Sequence, residues 1–179
     1  MARLAVKLVL LDEDHRLLLI HAKDPQTQAE CWYPVGGGVE PGETLQDAAG
    51  REAYEETGLV DLPPGLPVWR RDHLYEYDGR VVEVHEEWLM YTVNHFEPAP
   101  AQLTEGEARS VVGFRWWQAR ELSEAAETIY PPRLGRLLTD LLIDGAPPDP
   151  IDISESKSPV AADEGHDRHL TRPAWFSSP

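Results

Sequence analysis

The chain has one cysteine, two methionines and three phenylalanines among 179 residues, and its 16 Lys and Arg are set against 32 Asp and Glu. Each scarcity excludes something. A lone Cys31 cannot close an intramolecular disulfide. The apolar start "MARLAVKLVLLDEDHRLLLIHA" is broken by "DEDHR" well short of the about 20 residues that a membrane span requires. No Lys/Arg run exists that could displace counterions from a nucleic acid duplex or bind anionic headgroups, and a net charge of −16 opposes both. The expectation is a cytoplasmic protein with no duplex and no membrane as partner. A solvated surface accounts for most of the acidic residues.

What is present fits one core. At this length and with 41% hydrophobic residues, one domain is expected. "LAVKLVLL" (4–11) and "RLLLIHA" (16–22) read as a hairpin across "DEDH". Asp78-Gly79 lies between Val-, Tyr- and Trp-rich segments and signals a second, tight hairpin. "GFRWW" (113–117) reads as a further strand, and "QARELSEAAETI" and "PRLGRLLTDLLIDG" show helical spacing with a glycine stop at Gly145. From Ala146 the text turns rich in Pro, Ser and Asp, so residues 1–145 are taken as the domain and 146–179 as a tail without its own core, in which Trp175-Phe176 is an aromatic pair able to dock.

The informative stretch is "GGGVEPGETLQDAAGREAYEETGLV", residues 36–60. Thr44 can cap a helix, Asp47 stands where the reciprocal capping side chain belongs, and Gly58 offers a left-handed stop, which predicts a helix over 45–57. Within it Glu52, Glu55 and Glu56 are three and four residues apart and leave one face together. Like charges at that spacing repel, and no lysine is at hand in the segment to relieve them. A divalent cation is the other remedy: Mg²⁺ takes one or two carboxylates, keeps several waters and accepts substrate phosphates. Gly36, Gly37 and Gly38 allow close backbone approach, so a carbonyl or amide of that loop can point at a metal or phosphate beside the helix. Gly50, inside the helix, predicts that something packs close to it.

These residues resemble the box of the Nudix hydrolases: a glycine, five residues, a glutamate, seven residues, then Arg-Glu-aliphatic-any-Glu-Glu-any-Gly-aliphatic. Gly37, Glu43, Arg51, Glu52, Ala53, Glu55, Glu56, Gly58 and Leu59 meet it in register. Ala53 is the smallest aliphatic allowed, and in "YPVGGG" proline stands one place earlier than in the family's usual Pro-Gly-Gly run. The order of elements over 1–145 is similar to the family's α+β fold, an α/β/α sandwich around a mixed β-sheet.

The resemblance implies Mg²⁺ or Mn²⁺ held by Glu52, Glu55 and Glu56 with the backbone carbonyl of Gly36, and an ion pair in which Glu43 braces Arg51. It implies hydrolysis of a small-molecule nucleoside diphosphate linked to another moiety, by attack of water on phosphorus. A carboxylate about 4 Å from a phosphate oxygen costs about 4 kcal/mol at an effective dielectric near 20, so such a site needs cations in any case. The family's general base lies in the box or on a later loop. Here Glu107 is favoured for it, with Glu105 as the fallback.

Tyr75 and Tyr77 lie near where diadenosine-polyphosphate hydrolases of the family carry a tyrosine and are candidates for substrate binding, while core packing explains each of Trp32, Tyr33, Trp88 and Trp116 taken singly. No proline stands where the ADP-ribose hydrolases usually have theirs. His21, His73, His85 and His95 show no paired ligand spacing and receive no role. Two other readings stay open: a silent nucleotide-binding sensor, and an isopentenyl-diphosphate-type isomerase, for which only Cys31 could serve. A homodimer is open as well.

Overall fold

Alternate residues of the first strand feed two different cores, and a cleft lies where one of those cores stops. A computed structural model describes residues 2–77 and 80–155, with backbone alone at 75–77 and 80. In chain order the elements are β1 (Arg3–Leu11), β2 (Leu17–Lys23), β3 (Glu30–Pro34), α1 (Leu45–Thr57), β4 (Leu66–Tyr77), β5 (Arg80–Thr92), α2 (Glu105–Ser110), β6 (Val111–Trp117), α3 (Ala119–Glu124), α4 (Leu134–Asp144) and β7 (Ile151–Asp152). No helix among the described residues is long and apolar enough to cross a membrane.

The sheet is mixed, in the order β3-β2-β1-β5-β4-β7 with β6 on β2. β1 runs parallel to β5 from Arg3 opposite Val84 to Leu11 opposite Thr92, and β4 is antiparallel to β5. β1 and β2 pair only at Leu11 and Leu17. The rest of that edge of β1 is taken by residues 35–39: Val6 N donates to Gly37 O (2.9 Å), Leu8 N to Val35 O (3.0 Å) and Val39 N to Leu4 O (3.0 Å). The glycine loop is thereby fixed along the edge of β1.

Side chains alternate across a strand. Val6, Leu8 and Leu10 of β1 enter the core under α1, whereas Val9 and Leu11 enter the core with Trp69, Trp88, Trp117 and the α4 leucines Leu134, Leu138 and Leu141. Helices therefore lie on both faces, the α+β sandwich expected. α1 spans 45–57 as predicted, with the Thr44–Asp47 capping box and Gly58 in the left-handed region at φ 76°. The apolar part of its buried face is Ala48, Ala49 and Ala53. Three methyl groups let the helix lie close to the sheet, which is what the small residue at 53 achieves.

Several expectations need correction. Nothing would touch a Cβ at Gly50, so no close packing explains that glycine. The helical spacing of 118–129 is realised only to Glu124, because the backbone beyond turns to pair with β3: Trp32 N donates to Thr128 O (2.8 Å) and Tyr130 N to Trp32 O (2.9 Å). The segment before β6 is a short helix, α2, and no plain loop, since Thr104 and Glu107 form a second capping box. Residues 151–154 follow the sheet: β7 pairs in parallel with β4, Ile153 N donates to Arg70 O (2.9 Å), and Asp72 N donates to Ser154 Oγ (2.8 Å). Ile153 is 4% exposed within the second core, beyond the boundary drawn at Gly145. Asp78-Gly79 and Trp175-Phe176 lie outside the described residues, though Tyr77 and Arg80 on either side of the first pair face each other as a hairpin requires.

Two stability outcomes follow. Gly50→Ala is expected to raise unfolding free energy in urea by about 1 kcal/mol, the helix-propensity gain at an unobstructed site. A chain ending at Gly145 is expected to be less stable than one ending at Glu155 by about 1.5–3 kcal/mol, the burial of one isoleucine, measured by the same titration.

Candidate active site

The box residues converge through a guanidinium. Arg51 Nε and Nη2 donate to both oxygens of Glu43 (2.8 and 3.0 Å), Nη2 also reaches Gly38 O (2.8 Å), and Nη1 donates to Glu52 Oε1 (2.7 Å) and Glu55 Oε2 (3.3 Å). One planar fork thus fastens the loop after β3 to α1 and orients two of the three helix carboxylates. The hydrogen bonds from Arg51, then the contact with the Glu40 backbone, hold the Glu43 carboxyl down from its ordinary 4.5 to about 2.

Glu52 is 8% exposed and Glu56 is 4% exposed. Glu56 Oε2 accepts from Gly36 N at 2.7 Å. Burial raises the pKa of both carboxyls, and in Glu56 the charge of Glu52 adds to it. The glycines make this packing possible. A Cβ at Gly37 would collide with the Glu52 carboxylate, and Gly36, at φ 127°, would drive one into Val6 O.

These groups face a cleft of about 650 Å³ whose lining also includes residues of β1, β4 and β5. Glu107 lines it and Glu105 does not, so α2 separates the two candidates for the base. Glu107 also caps its own helix: its Oε2 accepts from Thr104 N and Thr104 Oγ1, both at 2.8 Å. The side chains of Tyr75 and Tyr77 lie outside the described residues. Cys31 is buried on β3 at 3% exposure and does not line the cleft, which leaves the isomerase reading without its thiol.

Three cleft residues carried no signal that the sequence reading used. Lys7 is 3% exposed and its Nζ donates to Gly36 O at 2.6 Å, the carbonyl that the resemblance assigns to a metal. Glu86, also buried, meets His73 Nε2 at 3.1 Å, Trp88 Nε1 at 3.3 Å and Arg71 Nη1 at 3.8 Å. Lys7 could have been noticed as the one polar residue within "LAVKLVLL". Glu86 and His73 could not, because only strand pairing brings them to the cleft.

The donor set can be tested against a divalent cation. Among the described residues no three acidic, His or Cys groups form a closed metal cage. What they form is an open wall of Glu52, Glu55, Glu56 and Glu107, where the guanidinium of Arg51 is already shared among Glu43, Glu52 and Glu55. Hard oxygen donors in excess of cations, open to a cleft, fit Mg²⁺ or Mn²⁺ with water and phosphate completing the shell.

Comparison with known proteins agrees with this geometry. The family model described as NUDIX domain matches residues 1–140, and the chain belongs to that family. It is 32% identical over 85 residues to a CTP pyrophosphohydrolase of Escherichia coli, a match covering 48% of this chain and 61% of that protein. It is 37% identical over 81 residues to diphosphoinositol polyphosphate phosphohydrolase 2 of Rattus norvegicus, covering 42% of this chain and 43% of the relative. Both matches span less than two thirds of the relatives' own lengths. A solved NUDIX hydrolase from Nitrosomonas europaea superposes with a TM-score of 0.58 at 20% identity, over 82% of this chain and 92% of that one, and shows the shared fold.

The Glu43 pair has a pH signature. Its carboxyl is depressed in the folded protein, so its contribution to stability is complete above the ordinary value of 4.5 and disappears as pH falls toward about 2. Thermal unfolding of Glu43→Gln without metal is expected to show a deficit against the parent chain at pH 7 that narrows steadily across that window.

Proposed function

We propose that this protein is a divalent-metal-dependent pyrophosphohydrolase that cleaves a nucleoside diphosphate linked to another moiety. The observation that carries the reading is the convergence of Glu52, Glu55 and Glu56, braced by Arg51 and Glu43, on a cleft that also receives Glu107. The names of the relatives, from CTP pyrophosphohydrolase to diphosphoinositol polyphosphate phosphohydrolase, support the reaction type and range too widely to choose one substrate. A cytoplasmic location belongs to the proposal and rests on composition.

Glu52, Glu55 and Glu56, with Gly36 O, would hold Mg²⁺ or Mn²⁺, which supplies charge neutralisation at the phosphate oxygens. The chain's own groups do the rest. Arg51 holds two of the carboxylates at fixed positions, so no reorganisation is needed when an anionic substrate arrives. Lys7 and His73 line the same cleft, Lys7 beside the glycine loop and His73 beside Glu86. Water forms the new bond to phosphorus, the bridging P–O bond breaks, and the leaving phosphate departs as an anion. The water proton passes to the carboxylate of Glu107.

A panel of nucleoside diphosphate derivatives incubated with Mg²⁺ or Mn²⁺, with products separated by chromatography, tests the reaction. Nucleotide binding without turnover on any diphosphate would move the assignment to the silent sensor. Glu56→Gln is expected to lower turnover by orders of magnitude while unfolding without metal is unchanged or shifts upward, since repulsion with Glu52 is relieved. Glu107→Gln separates two roles, because glutamine at that position still completes a capping box. A fall in kcat of about a hundredfold or more with KM kept marks Glu107 as the base; activity within a few-fold of the parent marks it as a cap alone.

A further inference from the structure

We propose that Lys7 is a resident counter-cation of the Glu52–Glu56 pair, one that clamps the Gly36 peptide and competes with a divalent cation for the same carboxylates. The inference rests on the metal site of the proposed function and adds a residue outside the box.

The position is unusual for a lysine. Lys7 lies mid-strand in β1 with Ala5 and Val9 as its neighbours on the same face, and it is nearly out of water. An ammonium in such a place is tolerated only where hydrogen bonds and opposite charge replace its hydration. Both are present at one residue. Lys7 Nζ donates to the carbonyl of Gly36 (2.6 Å), and the amide of the same glycine donates to Glu56 Oε2 (2.7 Å). The lysine, the loop and the helix carboxylate are thus joined in series.

Arg51, a second cation of the cleft, is differently engaged. Arg51 bonds Glu43, Glu52, Glu55 and Gly38 O. Glu56 is reached by Gly36 N, and the ammonium that opposes its burial is that of Lys7, which also favours the charged form of Glu52. Lys7 therefore balances the pair while no metal is bound. A divalent cation placed on those carboxylates would stand close to the ammonium, and two positive centres in a cleft walled by protein repel. The consequence is a site that takes bare metal weakly and fills when phosphate oxygens arrive to offset the crowding of charge. By linkage, removing the lysine must tighten metal binding by the factor with which the lysine weakens it.

The test uses the full chain without nucleotide. Thermal unfolding is followed with and without Mn²⁺, and free Mn²⁺ is measured by electron paramagnetic resonance, for the parent and for Lys7→Met, Lys7→Gln and Lys7→Arg. Lys7→Met and Lys7→Gln are expected to melt lower than the parent without metal, to gain more from Mn²⁺, and to bind Mn²⁺ about tenfold more tightly. Lys7→Arg, which keeps the charge, is expected to return the parent's Mn²⁺ response. If Lys7→Met does not fold without metal, refolding on addition of Mn²⁺ is the expected result and no recovery overturns the proposal. Equal losses of melting temperature with and without Mn²⁺ would overturn it by making Lys7 a packing residue only. Weaker Mn²⁺ binding in the variants would overturn it by leaving Lys7 as a support for the Gly36 carbonyl. A parent protein that ignores Mn²⁺ altogether would remove the metal site itself, and the role of Lys7 with it.

Discussion

Two carboxylates of α1 stand almost out of water, and the local structure answers to that constraint. Removing an ionised carboxylate from water costs several kcal/mol unless partners replace its hydration. Glu52 is partnered by Arg51 Nη1, and Glu56 by the amide of Gly36 and the charge of Lys7. Neither arrangement survives alone. Arg51 stays in place because Glu43 and Gly38 O hold its other nitrogens. Gly36 stays in place because the peptides on either side of it are hydrogen-bonded to β1. Ala48, Ala49 and Ala53 bring α1 close enough for its glutamates to reach the loop at all. The residues farthest from any chemistry are therefore the ones that make the charged pair sustainable.

The sheet divides its labour along its length. One face of β1 is apolar throughout and carries α1. The other is apolar only where Val9 and Leu11 meet Trp88, Trp69 and α4, and toward its start it presents Arg3, Ala5 and Lys7 beside Glu86 and His73. The C-terminal helices cover the first part and leave the second open. β7 belongs to the covered part, since Ile153 enters the tryptophan core. A segment whose composition reads as a tail can still contribute one core side chain when it reaches an unpaired sheet edge, and hydropathy averaged over such a segment hides that single contact.

What could be read from the sequence depended on distance along the chain. The capping box of α1, its glycine stop and the shared face of Glu52, Glu55 and Glu56 are set by residues within one or two helical turns, so spacing alone defines them. Glu43 and Arg51 are eight residues apart and were read through the resemblance. α2 was within reach of the same logic, because Thr104 and Glu107 repeat the Thr44–Asp47 pattern three residues apart, yet a six-residue helix containing Gly106 shows no periodicity. The strand residues of the cleft were beyond it. Lys7, His73 and Glu86 come from three strands whose adjacency follows from the parallel pairing of β1 with β5, and no local rule states that pairing. Gly50 shows the opposite failure: a local rule suggested a tight contact where the fold leaves open space.

The whole-chain charge and the cleft act on an anionic substrate at different ranges. A net charge of −16 is spread over a surface on which, at physiological ionic strength, charges more than about 8 Å away are largely screened. An anion within the cleft meets charges that are interleaved rather than separated: Arg51 lies against Glu43, Glu52 and Glu55, Lys7 against the carbonyl of Gly36, whose amide bonds Glu56, and His73 against Glu86. Each of these three is thus already engaged by a carboxylate or by the loop peptide that bonds one. Glu40, Glu52, Glu55, Glu56, Glu86 and Glu107 line the cleft with Arg3, Lys7 and Arg51, so carboxylates outnumber fixed cations at a range that salt does not screen. A cation that joins the carboxylates removes that local excess, which the summed charge of the surface does not determine.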